Sequence, residues 1–253
     1  MKGLLYLFSF VWLTSNIYSQ VNTEKFRIAA DSLGFSVRSD IDFTLMKGNA
    51  DFSFLGTNTR LNYNRGIDYT FLVLNGGFGS NKGAKFFSQA LFHLRNVNSI
   101  SKLISIEEFN QYDNNKQILL KHRALAGVGL RIKLIENDEF VMRIGPSVFF
   151  EHETYDLDSL SVHKHKSNLV RMNLYLTSLI NLQEDIKFLG ITYFQPAASA
   201  LNDFRILFDG ALNIELGKAV DLMVKLQMRF DNLPPDNVKK FDLVSKFGIA
   251  VNF

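Results

Sequence analysis

The last thirteen residues, Phe241–Phe253 (FDLVSKFGIAVNF), constrain this chain more than any other stretch. Phe241, Leu243, Phe247, Ile249, Val251 and Phe253 fall on one face of an extended segment. Asp242, Lys246, Gly248, Ala250 and Asn252 fall on the other. Twofold alternation of this kind describes a strand whose two faces meet different environments.

A soluble core strand has little reason to run its apolar face out to a terminal aromatic carrying the chain's carboxylate. Bacterial outer-membrane barrels end this way, and the closing strand resembles the signal read by the barrel-insertion machinery. Phe247, Ile249, Val251 and Phe253 are the candidate assembly signal. The other end of the chain agrees. Met1-Lys2 is a short positive region, Gly3–Thr14 is apolar, and Ser15–Gln20 is polar with a small residue at Ser19. This is the layout of a cleavable secretory signal, and its apolar run is shorter than the roughly 20 residues a spanning helix needs. Residues 1–20 are therefore expected to be a signal peptide and residues 21–253 a single outer-membrane β-barrel.

Composition fits the expectation. The chain is 47% hydrophobic with 24 Phe, yet charges or Asn interrupt each later apolar run. Strands that meet lipid at alternate positions spread their apolar residues in this way. The absence of Cys removes thiolate chemistry and Cys-based metal sites. The net charge of +3 falls by one when Lys2 leaves with the signal, too little to imply a nucleic-acid partner.

Turn signals divide the mature part into twelve alternating segments. The expected strands are Gly34–Lys47, Asp51–Asn64, Asp68–Gly77, Ala84–Arg95, Ile100–Tyr112, Leu119–Ile135, Phe140–Tyr155, Asn168–Leu182, Ile186–Gln195, Asp203–Leu216, Val220–Phe230 and Val238–Phe253. The fold class is thus all-β: an antiparallel up-and-down transmembrane barrel, closed by pairing of the last strand with the first. An even count puts both termini at one end. The second, fourth, sixth, eighth and tenth turns are tight. The seventh, ninth and eleventh are longer, as outer loops are. Pro146 inside the seventh strand removes a ladder donor and calls for a bulge beside Gly145.

Alternation also assigns faces. Arg38, Asp40, Asp42, Arg60, Arg123, Arg131, Arg143, Glu151, Arg171, Arg205, Asp209, Glu215 and Arg229 are expected to face the lumen, with Lys225, Asp242 and Lys246. A charge turned to hydrocarbon costs about 2–4 kcal/mol near the midplane, and a one-residue slip would move the whole set outward. Such a lumen is either an interlocked ion-pair network filling a narrow barrel or a polar pore whose arginines favour anions. Gly127 and Gly129 make room for crowded inward side chains. Tyr63, Tyr69, Phe140, Phe188 and Phe253 at one end, and Phe43, Phe109, Phe150, Phe194, Phe204, Phe230 and Phe241 at the other, read as interfacial girdles.

Chemistry-bearing motifs are sparse. His163 and His165 flank Lys164 in a long loop, short of the three or four ligands a metal site needs. His93, His122 and His152 lie on separate strands with no shared spacing. His122 is expected to face outward, but no Ser is placed beside it for a Ser/His hydrolase. No cofactor is implied. The expected partners are outer-membrane lipids and, during biogenesis, periplasmic chaperones and the barrel-assembly machinery. A lipid-acting barrel enzyme and a ligand-binding barrel remain alternatives to a structural or narrow-pore role.

Several short segments carry a resemblance to a known family. They are Lys47-Gly48-Asn49, Lys121–Arg131 (KHRALAGVGLR), Gly145–Glu151 (GPSVFFE), Phe194-Gln195-Pro196 with Asn202–Arg205, and the ending from Phe230. Together they resemble a bacterial outer-membrane family of unknown function that includes a salt-induced outer membrane protein. The resemblance implies a barrel and a location, and brings no activity or catalytic residues.

Overall fold

The computed structural model describes residues 33–46, 52–82, 84–217 and 220–251. The expected signal peptide and Phe253 lie outside the described residues. So do the side chains of Arg38, Asp40, Asp42, Lys246, Ile249 and Val251.

Twelve strands account for almost all of the described chain. They are β1 (Gly34–Met46), β2 (Phe52–Asn64), β3 (Tyr69–Asn81), β4 (Ala84–Ser99), β5 (Ile104–Asn115), β6 (Leu120–Glu136), β7 (Phe140–Tyr155), β8 (Lys166–Gln183), β9 (Ile186–Ala197), β10 (Ala200–Gly217), β11 (Val220–Asp231) and β12 (Phe241–Val251). Each pairs antiparallel with the next in one meandering sheet, β1 through β12. Among the described residues no ladder joins β12 to β1, so the seam expected to close the barrel is not formed here.

The start of β1 and the end of β12 share one end of the sheet, the near end. The turns there are short, at 65–68, 100–103, 137–139 and 184–185. The far end carries the long loops 156–165 and 232–240. The ninth turn, also at the far end, differs from its expected length. It is only 198–199, because β9 and β10 extend into the Ala197–Asn202 segment. The surplus is absorbed by a register shift between Ala200 and Phe204.

Polarity is reversed relative to a soluble protein. Phe35, Phe43, Phe150, Val170, Leu174, Phe241 and Phe247 are exposed, while Arg60, Glu151, Arg171 and Glu153 are almost wholly buried. On β8, Val170, Met172, Leu174 and Leu176 point outward, and Arg171, Asn173, Tyr175 and Thr177 inward. Polar residues interrupt the outward face in places. Glu108 and Asn110 are exposed on the outward face of β5.

The sheet is strongly curled. In a flat sheet β7 and β10 would lie about 14 Å apart, three strand spacings. Instead Arg205 of β10 donates to Glu151 of β7 at 3.1 Å. The Tyr175 hydroxyl of β8 reaches Glu107 of β5 at 2.6 Å. Small apolar clusters fill the concave side between these polar chords, such as Phe109, Leu125 and Phe149.

Two glycines admit that crowding. A Cβ on Gly127 would stand 2.6 Å from Phe149 Cβ and 2.7 Å from the Val148 carbonyl oxygen, and one on Gly129 2.4 Å from Ser147 Cβ. The expected bulge at Pro146 is absent. The β7–β8 register runs unbroken through Gly145↔Tyr175 and Pro146↔Leu174. Pairing with β6 lapses between Gly129↔Ser147 and Ile132↔Ile144, then resumes in the same register. The missing proline donor is accommodated by that local gap, without an inserted residue.

The girdle assignment also needs correction. Phe194, Phe204 and Phe230 form an outward ladder with ring centroids 5.7 and 5.8 Å apart. Phe109 is buried on the inner face, and Tyr69 packs inward against the cluster of Phe71, Val73 and Leu91.

Gly127→Ala is expected to lower stability by about 1–3 kcal/mol, since the carbonyl it meets cannot move aside. Ala126→Val, on the exposed face of the same strand, should leave stability nearly unchanged. Urea unfolding reads the difference, and equal midpoints would contradict the packing argument.

Candidate functional site

The inner face divides into three levels. At the near end a vestibule of about 480 Å³ opens between β2 and β9, lined in part by Arg131, Lys133, Glu136 and Arg143. Glu136 pairs with Lys133 and, at 3.1 Å, with Arg143. Beneath it Glu107 is held by Arg131 at 3.0 Å, Arg95 at 3.5 Å and the Tyr175 hydroxyl. Arg95 also stacks over Phe109, 5.2 Å from the ring centroid. At mid-height a small cavity of about 30 Å³ lies between His93, Phe109, Leu125, Phe149 and Gln195.

The far half is filled by ion pairs. Arg205 is the hub. It contacts both Glu151 oxygens, Glu153 at 3.0 Å and Asp231 at 3.2 Å. Arg123 grips Asp113 through two hydrogen bonds, 3.1 and 2.8 Å, and lies 3.6 Å from Glu153. Arg171 donates to Glu151 and to Asp203 at 2.9 Å. It also donates to the carbonyls of Gln195 and Asp203, where the β10 register shifts. Arg229 joins Asp231 at 2.7 Å to Asp242 at 3.4 Å. The network therefore ties β5, β6, β7, β8, β10, β11 and β12 together.

Two loops cover its outer side. Asp236 accepts hydrogen bonds from the Ser161 hydroxyl and, at 2.9 Å, from the His163 amide. This pins loop 232–240 to loop 156–165. Val238 packs against the cluster of Ile118, Leu120 and Tyr155. His163 lies edge-on to Tyr155, 5.0 Å between centroids. His163 and His165 lie in loop 156–165, and no group of three potential metal ligands is found among the described residues.

Of the sequence-assigned lumen charges, Arg123, Glu151, Arg171, Arg205 and Arg229 meet in the far network. Arg131 and Arg143 belong to the near-end groups. Arg60 stacks on Phe71 at 4.0 Å beside Asn62. Asp209 and Glu215 stand apart from the hub. Asp209 accepts from Gln227 at 3.0 Å, and Glu215 pairs with Lys187 at 2.8 Å near the surface. Lys225 is exposed. Arg95, Glu107, Asp113, Glu153, Asp231 and Tyr175 were not assigned from the sequence. Alternation already placed Glu153 and Tyr155 in phase with Glu151, and Asp231 in phase with Arg229. In β5 the signal is weak because polar residues occupy both faces.

The three histidines lie on separate strands, β4, β6 and β7, and His122 faces outward as expected. His93 is buried inside, 3.0 Å from Gln111. His122 and His152, on adjacent strands, stack on the outer wall at 5.9 Å.

A curled antiparallel meander, apolar outside and ion-paired inside, defines an all-β protein of a single twelve-stranded sheet among the described residues. Residues 40–253 match a family described as "Protein of unknown function, DUF481", and the chain belongs to it. A search of curated proteins returns no match. Two solved structures are reported as similar at low identity. One is titled "NanC porin structure in rhombohedral crystal form", at 7% identity and TM-score 0.43, covering 78% of this chain and 94% of that one. The other is titled "Bacterial polysaccharide outer membrane secretin", at 8% identity and TM-score 0.41, covering 87% and 91%.

Removing the hub should be costly. Arg205→Ala removes the cation that Glu151, Glu153 and Asp231 share in the buried interior, an expected loss of about 3–5 kcal/mol. Exchanging exposed Lys121 for Ala should change the urea midpoint little. Similar losses for both would remove Arg205 from its central role.

The loop clasp has a pH signature. Hydrogen bonds from Ser161 and His163 hold the Asp236 carboxyl below its ordinary value of 3.8. A lowered folded value means that the clasp contributes at neutral pH and is lost as pH falls through that value. Limited proteolysis of loop 156–165 should stay slow down to about pH 4 and accelerate below it. In Asp236→Asn cleavage should be faster at neutral pH.

Proposed function

We propose that this chain is an integral outer-membrane β-barrel with a plugged lumen, its role structural or that of a very narrow polar pore. The near end and both termini face the periplasm, and loops 156–165 and 232–240 face outward. The observation that carries the reading is the reversed polarity: buried guanidinium–carboxylate networks inside, exposed Phe, Leu and Val outside. Water cannot supply hydrogen bonds in a bilayer core, so a spanning sheet must satisfy its edges by pairing them. Membrane insertion therefore requires β12 to pair with β1. The lipid bilayer and the assembly machinery are the partners this reading needs, with the terminal strand through Phe253 as the address. Kinship with the salt-induced outer membrane protein, suggested by the shared segments, belongs to the same proposal.

Twelve strands enclose more room than the eight whose side chains just fill a barrel, and less than the sixteen or more of open porins. The Arg205 network and the Phe109–Leu125–Phe149 cluster occupy that room. The purified protein should fractionate with the outer membrane and migrate differently on gels before and after heating. In planar bilayers it should conduct far below an open porin. The double variant Arg205→Ala/Glu151→Ala should raise unit conductance several-fold. A large unit conductance in the unaltered protein would overturn the plugged-lumen reading.

A further inference from the structure

With the lumen filled, the outer wall becomes the place to look for chemistry, and its far rim carries three side chains in a recognisable order. His152 and Asn168 are directly opposed on β7 and β8. His152 Nδ1 lies 2.7 Å from Asn168 Oδ1. On the other side of the ring, His152 Nε2 lies 3.5 Å from the Thr154 hydroxyl. An amide oxygen on Nδ1 fixes the proton there and leaves Nε2 as a lone-pair acceptor, the tautomer a general base requires. A hydroxyl, an imidazole and an orienting amide in this sequence match the roles of a nucleophilic triad. The 3.5 Å gap is within the looser range such contacts show before substrate binds.

The surroundings suit an acyl ester. Thr154 is flanked in register by His122 on β6 and Lys166 on β8, two donors available to a developing oxyanion. One pleat below the His152–Asn168 pair, Phe150 faces Val170, both outward and exposed. That step, roughly 7 Å along the strand, takes the wall from polar to apolar. A lipid with its chains on the apolar wall would present its ester linkages at the rim.

We propose that Thr154, His152 and Asn168 form an acyl-ester hydrolase or transferase site on the outer wall, acting on ester-linked lipids. Thr154 Oγ attacks the ester carbonyl carbon while His152 Nε2 takes the hydroxyl proton. The carbon–oxygen bond to the alcohol breaks, and the proton passes from His152 to the leaving oxygen. Water, deprotonated by His152, then attacks the acyl-threonine, releasing fatty acid and restoring the Thr154 hydroxyl. An alcohol in place of water gives transfer. Asn168 is a positioning residue, holding the imidazole tautomer.

The inference rests on the barrel reading only for its membrane setting, so the test separates the two. Full-length protein in detergent is given p-nitrophenyl palmitate, then vesicles of diester phospholipid or its diether analogue, with fluorophosphonate labelling mapped by mass spectrometry. Fatty-acid release from diester but not diether lipid, with label on Thr154, is expected. Thr154→Ala and His152→Ala should reduce turnover at least about 100-fold, the scale of general-base catalysis. Thr154→Ser should retain it, and Asn168→Ala should shift the pH profile. These side chains lie outside the lumen network, and retained heat-modifiable migration will show that the variants fold. Folded protein that neither hydrolyses ester nor labels, or turnover indifferent to Thr154→Ala, would overturn the site. Loss of outer-membrane fractionation with ester turnover intact would overturn only the membrane setting.

Discussion

Arg205 is the residue on which the rest of the structure most depends. Its guanidinium bridges β10 to β7 and continues through Asp231 to β11. A charge of this kind buried without partners would cost several kcal/mol, and even well-paired buried ions roughly break even against apolar replacements. The network's value therefore lies less in net stability than in shape. Carboxylates on β7 and β11 must converge on one cation, and only a tightly curled sheet brings them together. The curl gives the meander a concave side, and the same side chains then fill it.

Filling has a consequence at each end. The near end keeps an open vestibule because its charges, Arg143, Lys133 and Glu136, pair along the wall. The far end carries the Arg205 network and, outside it, the loops that Asp236 fastens together. The two ends of the sheet thus differ, and the outer wall carries the site proposed above. There the triad geometry arises from the same rule that governs the lumen. A strand sends alternate residues to opposite faces, so His152 and Thr154 share the outside while Glu151 and Glu153 share the inside.

Much of this was legible in the sequence. Alternation on β6 to β8 located Arg123, Arg131, Glu151 and Arg171 on the inner face, because Val, Leu, Met and Phe fill the intervening positions. Gly127 and Gly129 were readable as room for neighbours. Alternation failed to speak for β5, where Glu107 and Asp113 point in while Glu108 and Asn110 point out. It misjudged Phe109 and Tyr69, whose aromatic type suits a girdle as well as a core. It also set aside His122 and His152. Spacing along a chain does not reveal which residues stand opposite across two ladders.

The sequence by itself determined the strands, their number and which side chains share a face, because a period of two is written directly in residue order. Only the tertiary structure decided which charges meet. Register brings His152 against Asn168, and curl brings Arg205 to Glu151 and Tyr175 to Glu107. Those contacts depend on distances across the sheet, and residue order along one strand holds no record of them.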